Sequence, residues 1–452
     1  MDSFNKVFPL EMREYAAMHF NKYRDFIHRV RPSDKHCKDK YWPAGGITSK
    51  HYDTFIAVNS AMGLIGLKST RSYWNLGDRF SVPFVRRAVS RDFYELMKRY
   101  AHFNDADQKV LRGDRNQPPP QGYDILYNFR PMMDKFNACW SSLMELPRTL
   151  CLDEKMIKLA MRTLLSRRQP NKPIRDGVQV YCLSDSKGRW LYNTWIDQGD
   201  LDPNLAPPYH YGKQIAMILH LCKGARVFGT WTTIAMDQAF TSPSLAMIGC
   251  WLKFLVVGTC RTMRRAWPTT QFAEVQKQNG KVVKPGDTAF LHHVGEISHG
   301  EKKTSFFMTA CMWYDKNVVH MLSNRHDAKE LPYAMKHKGR AEALDTTQPA
   351  LRAFYTSHKV GVDVIDQQDA AAITSHRTRR SPWHRVHDAY CNTAMTLAVQ
   401  HYRVVIQNHG TDEQKKKLKR LSSNESEGHG TATRRSVQSL ERNGWWLQNM
   451  MK

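Results

Sequence analysis

Apolar residues in the first third of the chain recur at helical, not alternating, spacing. In Arg91 to Phe103 (RDFYELMKRYAHF), Phe93, Leu96, Tyr100 and Phe103 fall three and four residues apart, which predicts an amphipathic helix. The stretch from His51 to Leu67 opens after the cap candidate Ser49 and reads as a second helix of mixed apolar periodicity. Gln117-Pro-Pro-Pro-Gln121 is a stiff break that ends this mostly helical region, residues 1–148.

Beyond the break the periodicity changes. RTLCLD (148–153) is a short apolar run ending in an acid. VQVYCLSD (178–185) alternates partly, Ser186-Lys-Gly188 is a turn, and RWLYNTWID (189–197) is the returning strand of a hairpin. Asp200 to Tyr211 is a Pro-rich loop, and Lys213 to Cys222 reads as a helix closed by Lys223-Gly224. VFGTWTTIAMD (227–237) is a strand that again ends in an acid. Ser242 caps a helix to Phe254 with Pro243 at its first position, and LVVGTC (255–260) is a buried strand. This order predicts an α/β fold, a mixed sheet with helices packed on it. Residues 261–348 read as an insertion of β character, with strand-like TAFLHHV and a pair within 305–324. Residues 349–372 look helical with Gly361 interrupting, and 373–452 is basic, with a polar stretch from Gln407 to Thr433.

Composition adds a partner class. The 452 residues carry 67 Lys plus Arg against 42 Asp plus Glu, a formal charge of +25 that implies a polyanionic partner, nucleic acid first. No membrane is expected, because runs such as Ile215–Cys222 fall well short of the ~20 residues of a spanning helix. The opening MDSFNKVFPL shows no signal-peptide pattern. Nine cysteines with no C-x-x-C pair suggest reduced thiols and no zinc ribbon, and His292, His293 and His299 lack zinc spacing.

Two predicted strands end in Asp153 and Asp237, and Asp363 and Asp366 share one face of a predicted helix. Carboxylates converging at strand ends repel unless cations bind between them, and Mg²⁺ suits such hard oxygen donors. Two ions about 4 Å apart activate an attacking oxygen and stabilise a leaving one in phosphodiester chemistry. The same acids equally suit turns, caps and a solvated helix face, and position alone leaves both readings open.

The words around the acids resemble the piggyBac transposase family. LCLDEKM carries Asp153-Glu154, and RQPNKPIRDGVQVYCLSDSKG holds Pro170 to Pro173, Gly177, Asp185 and Gly188. MDQAFTSPSLA (236–246), GTCRTMRRAWP (258–268), HKVGVDVIDQQD (358–369) and HRTRRSPWHRVHDAYCNTA (376–394) follow in the family's order. MGL (62–64), YW (73–74) and RYAHFND (99–105) fit its N-terminal region, so the resemblance runs from about residue 10 to about residue 410. It implies an RNase H-like catalytic domain (149–260, completed by the helix 349–372) with the β-rich insertion 261–348. Residues 1–148 and 373–452 would form a mainly helical dimerisation and DNA-binding part. Asp153, Asp237 and Asp363 would be catalytic metal ligands for two Mg²⁺ ions, with Mn²⁺ as a substitute and Asp366 an auxiliary acid. The implied activity is that of a cut-and-paste DNA transposase of the DDD type. It nicks element ends in double-stranded DNA, forms and opens hairpins, and joins the ends at TTAA targets as a homodimer in the nucleus.

Arg377, Arg379, Arg380, Trp383 and Arg385 mix cations with an aromatic, as a DNA-backbone groove with a stacking platform does. Trp383 equally fits a core. Lys415 to Arg420 fits a nuclear-localisation signal or a solvated basic helix end. Trp445-Trp446 is read as docking onto the core or a partner. Three departures from the family stand out. Gln238-Ala239 replaces the usual Asn and Trp, no cysteine follows Cys391 to build the family's zinc module, and its acidic N-terminal tail is missing. Hence no zinc is expected, and the alternative reading is a domesticated, catalytically silent DNA-binding protein.

Overall fold

A computed structural model describes residues 2–416, 418 and 419, apart from 33–38, 77–81, 115, 160–161, 171, 200–211, 281, 300–301, 336–342 and 372–381. Its N-terminal part contains α1 (Asp2–Val7), α2 (Leu10–Val30), α3 (Ser49–Ile65), α4 (Pro83–Ala88), α5 (Arg91–Tyr100) and α6 (Arg130–Leu143). The amphipathic stretch at 91–103 is helical to Tyr100, and the Ser90 hydroxyl accepts the Phe93 N–H at 3.3 Å to satisfy one free donor of the first turn. The cap of α3 is Thr48, not Ser49, which is the first helical residue. The Thr48 N–H donates to His51 Nδ1 at 3.1 Å.

The middle of the chain runs β1 (Thr149–Lys158), β2 (Ser166–Arg168), β3 (Asp176–Asp185), β4 (Leu191–Ile196), α7 (Lys213–Gly224), β5 (Thr233–Met236), α8 (Pro243–Trp251) and β6 (Leu255–Thr259). Then follow α9 (Thr269–Asn279), β7 (Thr288–His299), β8 (Lys302–Tyr314), β9 (Val318–Ser323), β10 (Glu330–Met335), β11 (Leu344–Pro349), α10 (Ala350–His358), α11 (Gly361–Ala371) and α12 (Pro382–His409). Nine strands form one mixed sheet in the order β2-β3-β1-β5-β6-β9-β8-β7, with β4 paired to β3. Neighbours β1, β5 and β6 are parallel and the other pairs antiparallel. β10 and β11 form a separate pair.

Four expectations change. β1 does not stop at Asp153 but continues to Lys158, because β3 pairs with its whole length. β5 begins only at Thr233, not at Val227. Gly229 (φ 85°) and Trp231 (φ 55°) turn the chain there, and their N–H groups donate to Leu252 and Lys253 carbonyls. A helix, α9, lies in the stretch read as an insertion of β character. That stretch also supplies β7 to β9 to the central sheet, where Val257 of β6 faces Ser323 of β9.

Alternation along β5 sorts the two faces of the sheet. Ala235 joins Val257, Trp313, Met321 and Leu351 on the side of α10, while Ile234 and Met236 enter the main core. That core reaches into the helices, where Phe8, Phe20, Tyr52, Phe103, Phe129, Phe136 and Trp140 are buried. α12 closes it from the other end of the chain. The Tyr52 hydroxyl lies 2.6 Å from His387 Nε2, the Phe103 ring stacks on His387 at 4.4 Å, and Trp140 stacks on Tyr390 at 5.8 Å. The N-terminal helices and α12 therefore build one helical body against the sheet.

Candidate active site

Three separate elements bring the sequence-predicted acids to one region. Asp153 lies in β1 opposite Cys182 of β3, one residue past the last β1–β5 pair, Leu152 with Met236. Asp237 follows directly on β5, where the chain turns. Its carboxylate accepts the Ala239 N–H at 2.6 Å, and its carbonyl accepts the Phe240 and Thr241 N–H groups at 3.1 and 3.0 Å. Both acids thus sit where the parallel β1–β5 pairing ends. Asp363 stands in the first turn of α11, and Asp366 one turn on.

Two glycines let α11 approach the sheet. A Cβ at Gly361 would lie 2.2 Å from the Asp185 carbonyl oxygen at the end of β3. Gly188, at φ 69° in the β3–β4 turn, would meet Val364 of α11 at 2.5 Å. No side chain fits either place, so the hairpin and the start of α11 touch backbone to backbone. The link before α11 is pinned to β1 by Cys151 Sγ, which donates to the Lys359 carbonyl at 3.0 Å.

The charges in this region are strongly perturbed. Burial, then the neighbouring Glu154 carboxylate, pushes Asp153 up to about 7, although the Glu154 N–H donates to it at 2.8 Å. Burial also raises Asp237, against the opposing pull of the Ala239 N–H, Arg261 and Lys172. Asp366 is raised by burial and by Asp369 and Asp363, with Lys155 opposing. Lys172 links the group: its Nζ lies 3.4 Å from Glu154 Oε1, and its charge reaches Asp153 and Asp363 as well. Deeper in, Lys155 donates to Asp369 Oδ2 at 2.7 Å and to Thr393 Oγ1 at 3.1 Å, tying β1 to α11 and α12. Burial works against that ammonium, but the neighbouring groups, Asp369 first and Asp366 among them, together outweigh it and keep the lysine charged. Tyr355 of α10, pushed up to about 12 chiefly by burial, feels both Asp237 and Asp153.

Such a set of hard oxygen donors, half-buried at Asp153, Asp237 and Asp366 and exposed at Asp363, suits a divalent cation such as Mg²⁺ or Mn²⁺, which would relieve the repulsion among them. Among the described residues no three His, Cys, Asp or Glu groups are close enough to hold one ion by themselves.

Sequence patterns alone do not single out Lys155, Tyr355 or the charge role of Lys172. The one signal for Lys155 is its place two residues after Asp153, on the same face of a strand. Tyr355 leaves no comparable mark. Of the DNA candidates, Arg377, Arg379 and Arg380 lie outside the described residues, as do Trp445 and Trp446. Trp383 packs half-buried against the main core, and Arg385 donates to the Lys158 carbonyl at 3.3 Å at the end of β1. A basic cleft of about 290 Å³ opens beside Asp237, lined by Lys213, Gln214, Ser242, Ser244, Arg264 and Arg265. Arg264 braces it, donating to Gln214 Oε1 at 3.1 Å and to the Gln238 and Ala239 carbonyls. The Gln238-Ala239 departure therefore meets the site through backbone groups.

A family model described as Transposase IS4 matches residues 37–398. PiggyBac transposable element-derived protein 2 from Homo sapiens is 22% identical over 370 residues, covering 81% of this chain and 57% of that protein. The chain thus spans less than two thirds of that relative. A cryo-EM structure of the piggyBac transposase synaptic complex with hairpin DNA matches at a TM-score of 0.68 and 19% identity, covering 100% of this chain and 84% of that one. That likeness establishes the fold, a mixed α/β architecture with the large mixed sheet of an RNase H-like DDE domain.

Proposed function

Because the chain belongs to the Transposase IS4 family and is related to piggyBac transposases, we propose that it is a DNA transposase that cuts and joins DNA strands with Asp153, Asp237 and Asp363. The observation that carries this reading is the gathering of the three acids from β1, the turn after β5 and α11 around one lysine in a chain of charge +25. The three carboxylates would hold the divalent ions. When bound, these supply activation of the attacking oxygen and stabilisation of the leaving oxygen in phosphodiester chemistry.

The remaining steps fall to the chain's own groups. Lys213, Arg264 and Arg265 draw a phosphodiester into the cleft beside Asp237, and the Ser242 and Ser244 hydroxyls hydrogen-bond it. The Ala239 N–H holds the Asp237 carboxylate in place at the end of β5. Lys155 and Asp369 hold α11 in register with β1, and so Asp363 in register with Asp153. The helical body of α1–α6 and α12 is the proposed dimerisation and DNA-binding part, and TTAA-containing duplex DNA the proposed target.

The test is incubation of the full chain with Mg²⁺ and duplex DNA carrying the flanking terminal repeats, followed by a denaturing gel. Nicks and hairpins that vanish with EDTA support the reading. DNA bound but left intact under Mg²⁺ and Mn²⁺ supports the second reading, a domesticated DNA-binding protein, which Ala239 favours by replacing the family's aromatic at the second acid.

A further inference from the structure

Lys172 stands between two prolines, Pro170 and Pro173, in the loop joining β2 to β3. Its N–H donates to the Gln169 carbonyl at 3.1 Å, and the Gln169 N–H donates to the Arg175 carbonyl at 2.7 Å, so Lys172 is held by a hydrogen-bonded turn. From it the side chain crosses to β1. Nζ reaches Glu154 Oε1 at 3.4 Å and donates to the Glu154 carbonyl at 3.3 Å. The side chain is 32% exposed against 15% for Glu154, so the ammonium lies at the mouth of the acidic cluster and retains a path to solvent. Lys155 differs on both counts: its side chain is 7% exposed and it is bound to Asp369 and Thr393.

We propose that Lys172 is the resident cation of the acidic cluster. Its ammonium offsets the negative charge of Asp153, Glu154 and Asp363 in the metal-free chain, and it competes with a divalent ion for those groups. The inference rests on the reading that the aspartates of the cluster bind divalent ions. An ammonium is a compact charge on a flexible four-carbon stem and imposes no coordination geometry. It can therefore neutralise the acids without organising them, and withdraw towards solvent when a doubly charged ion enters. Within a few ångströms the two cations repel each other, and partial burial preserves much of that repulsion. Asp237 and Asp366 lie within the same field, so the competition extends over the whole cluster. An ordinary surface ion pair, worth little in water, would leave metal binding untouched.

The experiment measures Mn²⁺ binding to the full, DNA-free chain by electron paramagnetic resonance of the free aqueous ion. Lys172→Met should bind Mn²⁺ about tenfold more tightly than the parent chain, the repulsion having been removed. Lys172→Arg, which keeps the charge, should bind as the parent does. In EDTA the melting temperature of Lys172→Met should fall below that of the parent, and saturating Mn²⁺ should close the gap. Lys172→Gln serves if the Met variant fails to fold. Unchanged or weaker Mn²⁺ binding by the neutral variants, while Asp363→Asn still weakens it, overturns the role of Lys172 alone. Equal binding by the parent and Asp363→Asn brings down the metal reading itself, and this inference with it.

Discussion

Asp363 occupies the first turn of α11, where a carboxylate also faces the positive end of the helix. Removing it should cost the fold only about 0.3–1 kcal/mol, while the cluster loses one of its three proposed metal ligands. Asp363→Ala is therefore expected to abolish strand cleavage and to leave metal-free DNA affinity within about threefold, since phosphate contacts come from cations. Loss of cleavage together with a large loss of metal-free binding, in a filter or anisotropy assay, would mark Asp363 as structural. His102 provides a second test at this scale. Its ring stacks on Tyr23 at 4.2 Å, Nε2 lacks a partner among the described residues, and burial, then Lys109 and two histidines, lowers its pKa to about 4. The folded state holds it neutral while the unfolded chain protonates it near 6.5, so the unfolded state binds more protons between those values. Its contribution is intact above pH 6.5 and is lost as pH falls towards 4, by at most about 3 kcal/mol. Urea denaturation at pH 7 and pH 4.5 should show His102→Phe losing less stability over that interval than the parent chain.

Between elements, the contact that decides the site is that of α11 with the β3–β4 hairpin. Gly361 and Gly188 have no room for a Cβ, and the obstacles at Gly361 include the Asp185 carbonyl, which cannot rotate away. Gly361→Ala should push α11 off the sheet, destabilise the chain by about 1–3 kcal/mol, and carry Asp363 away from Asp153. Denaturant midpoints and metal affinity should fall together. A variant with a lowered midpoint and normal metal affinity would show that the cluster tolerates a shifted helix. The Lys155–Asp369 pair acts at the same junction. Buried and shared with Thr393 and Thr396, it fixes the turn of α11 that faces β1.

For the molecule as a whole, the formal charge of +25 predicts DNA binding that weakens steeply with salt. Arg377, Arg379 and Arg380 lie just before α12, and their replacement by Ala should flatten the slope of log affinity against log salt by roughly two to three units. Replacing Arg265, at the cleft beside Asp237, should flatten it by about one. An unchanged slope in the triple variant would place those arginines away from the DNA. The aromatic body that joins α1–α6 to α12 gives this scale its stiffness. His387 of α12 is held by Tyr52 and stacked on Phe103, so force on the C-terminal helix passes into the N-terminal ones.

Local physics makes much of this protein legible in its sequence. The three-and-four spacing at 91–103, the Ser242-Pro243 start of α8 and the β3–β4 hairpin depend on neighbours a few residues away, and all three form as the spacing predicts. The family words around Asp153, Asp237 and Asp363 lead to the Transposase IS4 family in the same way. Contacts between distant segments are not legible there. Asp153 is not at a strand end because β3 carries β1 on to Lys158, and β7 to β9 extend the central sheet because β9 pairs with β6. Lys172 enters the acidic cluster, Tyr355 comes within the field of Asp237 and Asp153, and Thr393 completes the partners of Lys155 from 238 residues away. A sequence records which side chains carry charge and which periodicity buries them. Which charges face one another in a medium that screens them poorly is decided only when the sheet, α11 and α12 pack together.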